Sequence, residues 1–91
     1  MPNLRHVVLF RLRDGADPNL AIRLLKESRP EGAVRWVIER SVDERKGVVI
    51  AEDTTFADAE ALEAFRASDG HQASVAYMRE WADWITGDWW E

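Results

Sequence analysis

The stretch Leu4–Leu12, which reads LRHVVLFRL, decides the fold expected of this 91-residue chain. Its side chains alternate with period two, and both alternating sets contain apolar residues at the centre. One set is His6, Val8, Phe10 and Leu12, and the other is Arg5, Val7, Leu9 and Arg11. Such alternation with β-branched residues is typical of a strand. Because both sets are apolar at the centre, we predict a strand whose two faces are both covered.

The remaining patterns place this strand in a single domain of mixed structure. Asp17 followed by Pro18 is typical of a helix start, and Asp58 caps a second helix. Predicted strands cover 4–12, about 33–42, 48–56 and about 84–90, and predicted helices run from 18 to near 29, from 59 to near 68 and from 71 to about 81. With right-handed crossovers, this β-α-β-β-α-(α)-β order gives a ferredoxin-like fold of the α+β class, a four-stranded antiparallel sheet with helices on one face. We predict one such domain over residues 1–91.

The sheet face opposite the helices would leave a group of apolar side chains in water. They are Val7, Leu9, Val37, Val49 and Ala51, and Arg11, Arg35, Glu39 and Asp53 share their face. Full burial of each apolar side chain is worth about 1.5–3 kcal/mol, and large exposed apolar patches mark interfaces. We therefore predict a homodimer in which two such faces meet, forming a dimeric α/β barrel with salt bridges around the apolar centre. The alternative is a monomer with a mixed face.

The composition argues against several classes of partner and location. A net charge of −5 disfavours binding to nucleic acid, because that affinity comes largely from cationic contacts with phosphates. No run of residues approaches the roughly 20 apolar residues of a membrane span, and the N-terminus lacks the apolar segment of a signal peptide. The chain has no cysteine, so it contains neither disulfides nor thiolate metal ligands. We expect a cytoplasmic protein with no nucleic-acid or membrane partner.

Three segments resemble the stress-responsive A/B barrel (Dabb) domains, a family within the dimeric α/β barrels. They read LRHVVLFRLRDGADP, DTTFADAEALEAFRASDGH and, at the C-terminus, DWWE. The resemblance covers nearly the whole chain. It implies a homodimer of ferredoxin-like subunits with a small apolar cavity between sheet and helices. The best-understood enzymes of the family, olivetolic acid cyclases, close a polyketide chain by aldol condensation without a metal or an organic cofactor, so we expect none here.

The same resemblance implies roles for particular residues. His71 matches the histidine that such a cyclase uses as general base, and His6 matches a strand histidine that lines the pocket. Val8 and Phe10 continue that wall, while Phe65 and Ile50 stand where the cyclase has a tyrosine and a further histidine. Many family members have His-Pro-x-His before the last helix, and this chain has Ser-Asp-Gly-His over 68–71.

The residues themselves add three candidates for the cavity. Glu52 shares the phase of Val48 and Ile50, so we expect its carboxylate in the same cavity as His6, where it pairs with His6 or His71 and raises the pKa of that imidazole. The alternative is that Glu52 reaches solvent at the end of the sheet. The second candidate, Val75, belongs to an apolar stripe on the last helix. This stripe is His71, Val75, Met78 and Ala82, which lie within about 40° of one another at roughly 100° per residue. The third, Trp81, either stacks on a ligand or packs in the core and dimer interface.

Two functions remain open from the sequence. The first is binding of a small apolar or aromatic molecule in the cavity, with no chemistry. The second is a cofactor-independent, cyclase-like lyase or isomerase in which His71 removes a proton next to a carbonyl and His6 polarises the oxygen. Each histidine also has an interpretation without function. His71 is then only hydrogen-bonded to backbone at a helix start, and His6 is a satisfied histidine at the end of a strand. A cavity of a few hundred Å³ with both imidazoles on its wall distinguishes these functions from a solid interior.

Overall fold

The computed structural model describes residues 2–91 and confirms the ferredoxin-like arrangement. The strands are β1 (Leu4–Leu12), β2 (Ala33–Arg40), β3 (Val49–Phe56) and β4 (Ala82–Trp90), and the helices are α1 (Pro18–Glu27), α2 (Ala59–Arg66) and α3 (Asp69–Trp81). The sheet has the order β2-β3-β1-β4, and every neighbouring pair is antiparallel. The first strand is therefore central, as its two apolar faces require. No helix of residues 2–91 combines the length and the apolar character needed to cross a bilayer.

The elements differ from the predicted ranges mainly at their ends. The β2 strand ends at Arg40 because Ser41 and Asp43 close a turn, in which the Asp43 N–H donates to Ser41 Oγ at 3.1 Å. The α3 helix begins at Asp69, ahead of the predicted start, because Ser68 is its N-cap. The β4 strand begins at Ala82, directly after α3, because the backbone of Ala82 is already extended.

The helices cover one face of the sheet and bury the core there. One cluster of buried side chains lies between α1, α3 and the sheet and contains Leu25, Ile50 and Met78. A second cluster lies beneath α2 and contains Phe56 and Phe65. Because strand side chains alternate between faces, the inner phase of β1 supplies Val8 and Phe10 to the first cluster and Leu4 to the second.

The outer face of the sheet, opposite the helices, is the face that the alternation predicts to be apolar at its centre. Leu9 is 45% exposed, and its neighbours across the sheet are Ala51 on β3 and Ile85 on β4. Ile85 is 71% exposed and was not among the residues predicted for this face. The predicted salt bridges form in part, since Arg35 pairs with Asp53 at 2.7 Å.

Two further ion pairs involve charged residues of the outer face. Arg5 makes a two-pronged ion pair with Asp53, at 2.6 and 2.7 Å. Arg11 lies 3.4 Å from Asp83 on β4. Glu39 forms no ion pair within residues 2–91. The apolar centre is thus bordered by ion pairs that form within the single chain.

Candidate functional site

A cavity of about 220 Å³ lies between the sheet and the helices. Its wall comes from β1, β3, β4, α1, α2 and α3. The residues that line it are His6, Val8, Phe10, Leu25, Glu52, Arg66, His71, Ser74, Val75, Met78, Trp84 and Thr86. Half of these side chains are mainly apolar, counting the indole of Trp84. The ionisable ones come from four different elements. The cavity is smaller than the roughly 300–1,000 Å³ usual for drug-sized ligands, and it has room for about seven water molecules at about 30 Å³ each.

Strand register brings the ionisable groups of the sheet together. His6 on β1 lies opposite Asp88 on β4, and Val8 lies opposite Glu52 on β3. All four residues occupy the inner phase, because positions two apart on a strand share a face. Glu52 is therefore the diagonal neighbour of His6, and diagonal neighbours on antiparallel strands remain within reach of long side chains.

His6 is held between two carboxylates. Its Nδ1 lies 2.5 Å from Asp88 Oδ1, and its Nε2 lies 3.6 Å from Glu52 Oε2, just beyond hydrogen-bonding distance. Asp88 also approaches Arg66, with Oδ2 3.5 Å from Nη2. Burial lowers the pKa of His6, but the contacts with Glu52 and Asp88 outweigh burial and raise the pKa above its ordinary value. The imidazolium form of His6 is therefore favoured.

His71 has the opposite electrostatic setting. Among residues 2–91, the hydrogen bonds between His71 and other side chains are made by its backbone. The His71 N–H donates to Ser68 Oγ at 3.2 Å, and the His71 carbonyl accepts from Ser74 Oγ at 2.9 Å. The ring packs edge-on against Phe65, with centroids 4.5 Å apart. Burial is the main cause of the lowered pKa of His71. The positive charges of His6 and Arg66 lower it further, whereas Glu52 acts in the other direction. The neutral imidazole of His71 is therefore favoured.

Six of the nine residues predicted for the site line the cavity. They are His6, His71, Val8, Phe10, Glu52 and Val75. Glu52 is only 3% exposed, so the alternative in which it reaches solvent is wrong. Of the two pairings considered for Glu52, the structure shows the one with His6, whose Nε2 lies 3.6 Å from Glu52 Oε2.

The other three predicted residues do not line the cavity. Ile50 has the expected phase, but it is fully buried in the core cluster beneath α1 and α3. Phe65 lies behind His71 and supports its ring. Trp81 packs beside Gly15 and Tyr77, because it lies about 80° around the helix from His71. The prediction that Trp81 stacks on a ligand in this cavity is therefore wrong, and the alternative, in which Trp81 is a packing residue, agrees with its contacts.

Several residues of the site were not found from the sequence. Asp88 is the most important, because it is the direct partner of His6. Arg66 lies beside Asp88, and Thr86 and Trp84 continue the wall along β4, opposite Val8 and Phe10. Period two through β4 places Trp84, Thr86 and Asp88 on one face, which is the signal that could have found them. No group of three or more His, Cys, Asp or Glu in residues 2–91 is arranged to hold a metal ion.

Comparisons with known proteins agree with this architecture. The family model of the Stress Responsive A/B Barrel Domain matches residues 4–91. An uncharacterised protein of Streptomyces coelicolor, SCO4036, is 32% identical over 94 residues, which cover 93% of this chain and 96% of the relative.

Two solved structures illustrate the shared fold. A dimeric ferredoxin-like protein of unknown function from Thermobifida fusca superposes with a TM-score of 0.85 at 15% identity, covering 99% of this chain and 92% of the other. SnoaB, a cofactor-independent oxygenase from Streptomyces nogalater, gives a TM-score of 0.77 at 17% identity, covering 98% and 92% of the two chains. At these identities the likeness extends to the fold alone.

Proposed function

Because the chain belongs to the stress-responsive A/B barrel family, we propose that it is a homodimer whose subunits each bind a small, mainly apolar molecule between sheet and helices. The observation that carries this proposal is the cavity itself, with an apolar wall and a few buried polar groups at one end. Binding sites for small molecules have this composition, in which apolar surface gives affinity and a few polar groups give orientation. The volume of about 220 Å³ suits a molecule with a single ring.

The homodimer is supported by the outer face of the sheet. Leu9 and Ile85 are neighbours there, and they are 45% and 71% exposed in the single chain. A second copy of the same face would cover them and would extend the apolar row symmetrically. The structural neighbour from Thermobifida fusca is described as dimeric, which agrees with a homodimer.

Filling the cavity tests the binding function. Val75 lines the cavity on α3, and the adjacent Ala76 is exposed on the same helix. We expect toluene to shift the NMR signal of the Trp84 indole N–H in the wild type and in Ala76→Phe. Val75→Phe should abolish this shift, because the larger ring occupies the space. Equal responses of the two variants, or no response of the wild type, would contradict the proposal.

A second candidate function, proton transfer without a cofactor, is favoured by the contrast between the two histidines. The pKa of His71 is lowered and that of His6 is raised, and paired groups with diverging pKa values are typical of acid–base sites. Neutral His71 would take a proton from the carbon next to a carbonyl. The electron pair would move to the carbonyl oxygen, where the His6 imidazolium would stabilise the enolate. Ile50 and Phe65 supply no imidazole or hydroxyl, so a cyclase-type aldol closure has less support than this simpler step.

Deuterium exchange tests the second candidate. The methyl protons of acetophenone are expected to exchange with D₂O faster in the presence of the protein, and His71→Asn should remove most of an acceleration of about 10²–10⁴-fold. The rate should fall as the pH is lowered through the pKa of His71. Gln72→Ala, an exposed neighbour on the same helix, is the control. Exchange at the buffer rate would exclude this function while leaving ligand binding intact.

A further inference from the structure

Glu52 is a buried carboxylate that accepts no hydrogen bond of 3.5 Å or less among residues 2–91 and has a long ion pair with His6. The residue is 3% exposed, and His6 Nε2 stays 3.6 Å from Oε2. Within the same residues, every fully enclosed side-chain nitrogen or oxygen has a hydrogen-bond partner. The Glu52 oxygens are therefore not fully enclosed, and the little surface that they keep opens into the cavity that the residue lines. A buried acceptor that lacks a short hydrogen bond is costly, and a ligand that brings a donor relieves that cost.

The charges around the cavity balance without a charged ligand. The negative charges are those of Glu52 and Asp88. The His6 imidazolium lies 2.5 Å from Asp88 and 3.6 Å from Glu52, and Arg66 lies 3.5 Å from Asp88. His71 favours its neutral form. A ligand carboxylate would add an uncompensated negative charge beside Glu52, and burying such a charge is strongly unfavourable. A neutral donor adds no charge.

The acceptor also lies next to the apolar part of the wall. Val8 is directly opposite Glu52 on the neighbouring strand, and Phe10 follows on the same face. A ligand that donates to Glu52 therefore places its remaining atoms against Val8, Phe10 and Trp84. We propose that the cavity selects a neutral, single-ring or similarly small hydroxyl compound, a phenol or an enol, whose O–H donates to Glu52. This inference rests on the proposed ligand-binding function.

Three probes of matched shape test the selectivity at pH 7: toluene, p-cresol and p-toluate. In the wild type we expect p-cresol to bind about tenfold more tightly than toluene, because hydrogen bonds to a charged acceptor are the strong ones. We expect p-toluate to bind at least about tenfold more weakly than p-cresol. Glu52→Leu should reverse the preference for p-cresol over toluene, and Glu52→Gln should reduce it and admit p-toluate. Glu80→Gln, at an exposed position of α3, is the control.

The outcomes separate this inference from the function on which it rests. If no probe binds the wild type, both the binding function and the selectivity are overturned. If toluene binds and p-cresol binds no better, the selectivity is wrong and the binding function stands. Retention of the preference in Glu52→Gln and Glu52→Leu, judged on samples with native NMR spectra, also overturns the role of Glu52. The wild-type comparison decides the selectivity even if Glu52→Leu does not fold.

Discussion

Replacing Ile85 with aspartate is expected to separate the subunits of the proposed dimer. The side chain is 71% exposed in the single chain and adjoins Leu9 at the centre of the outer face. Full burial of an isoleucine is worth about 1.5–3 kcal/mol, so covering the remaining surface in both copies contributes about 2–4 kcal/mol. Losing that contribution raises the dissociation constant by about 30- to 700-fold at 1.4 kcal/mol per factor of ten. Burying two carboxylates in the interface adds to this loss.

Sedimentation velocity over a concentration series measures this change directly. We expect the wild type to sediment as a dimer at micromolar concentration and Ile85→Asp to sediment as a monomer with an unchanged circular dichroism spectrum. Ala76→Asp introduces the same charge at an exposed site on the helix side and should remain dimeric. A monomeric wild type, or an Ile85→Asp variant that dimerises as tightly as the wild type, would refute the assignment of the outer face as the interface.

Three further predictions concern the site and the helix that leads into it. Asp88→Asn should lower the pKa of His6 in an NMR titration, because it removes the charge that contacts Nδ1; an unchanged pKa would mean that Asp88 does not hold the cation. The free energy of unfolding, measured with urea, should fall as the pH rises through the raised pKa of His6. It should also fall as the pH drops below about 6.5 towards the lowered pKa of His71. His6→Gln should remove the first decline and His71→Asn the second, and a pH-independent wild type would contradict both. Ser68→Ala should cost about 1 kcal/mol and lower the melting temperature by about 4–8 °C, because it removes the N-cap of α3; Ser68→Asp retains a cap and should melt close to the wild type.

The inner phase of the sheet could be predicted from the sequence because alternation along a strand is a local property. It placed His6, Val8 and Phe10 on one face of β1, and it placed Glu52 on the corresponding face of β3. Helical periodicity likewise placed His71 and Val75 on one side of α3. These residues reach the cavity because their position depends only on the type of element that carries them.

The remaining residues of the site depend on how separate elements are aligned. Asp88 meets His6 only because β4 pairs with β1 in a particular register, and no hairpin between the two strands fixes that register in the sequence. Ile50 has the predicted phase, yet α1 and α3 cover it, since the cavity occupies only part of the inner face. Trp81 is a different case, because the angle of about 80° between it and His71 follows from helical periodicity and could have been worked out from the sequence.

The direct passage from α3 into β4 at Ala82 leaves the chain without slack at that point. One inserted residue at this junction would turn the helix by about 100° relative to the strand, or would exchange the two faces of the strand. Either change would withdraw His71 from the cavity or Asp88 from its contact with His6. Length variation among relatives that keep this cavity should therefore be absent between Trp81 and Ala82, and should be found in the loop after Arg40 instead.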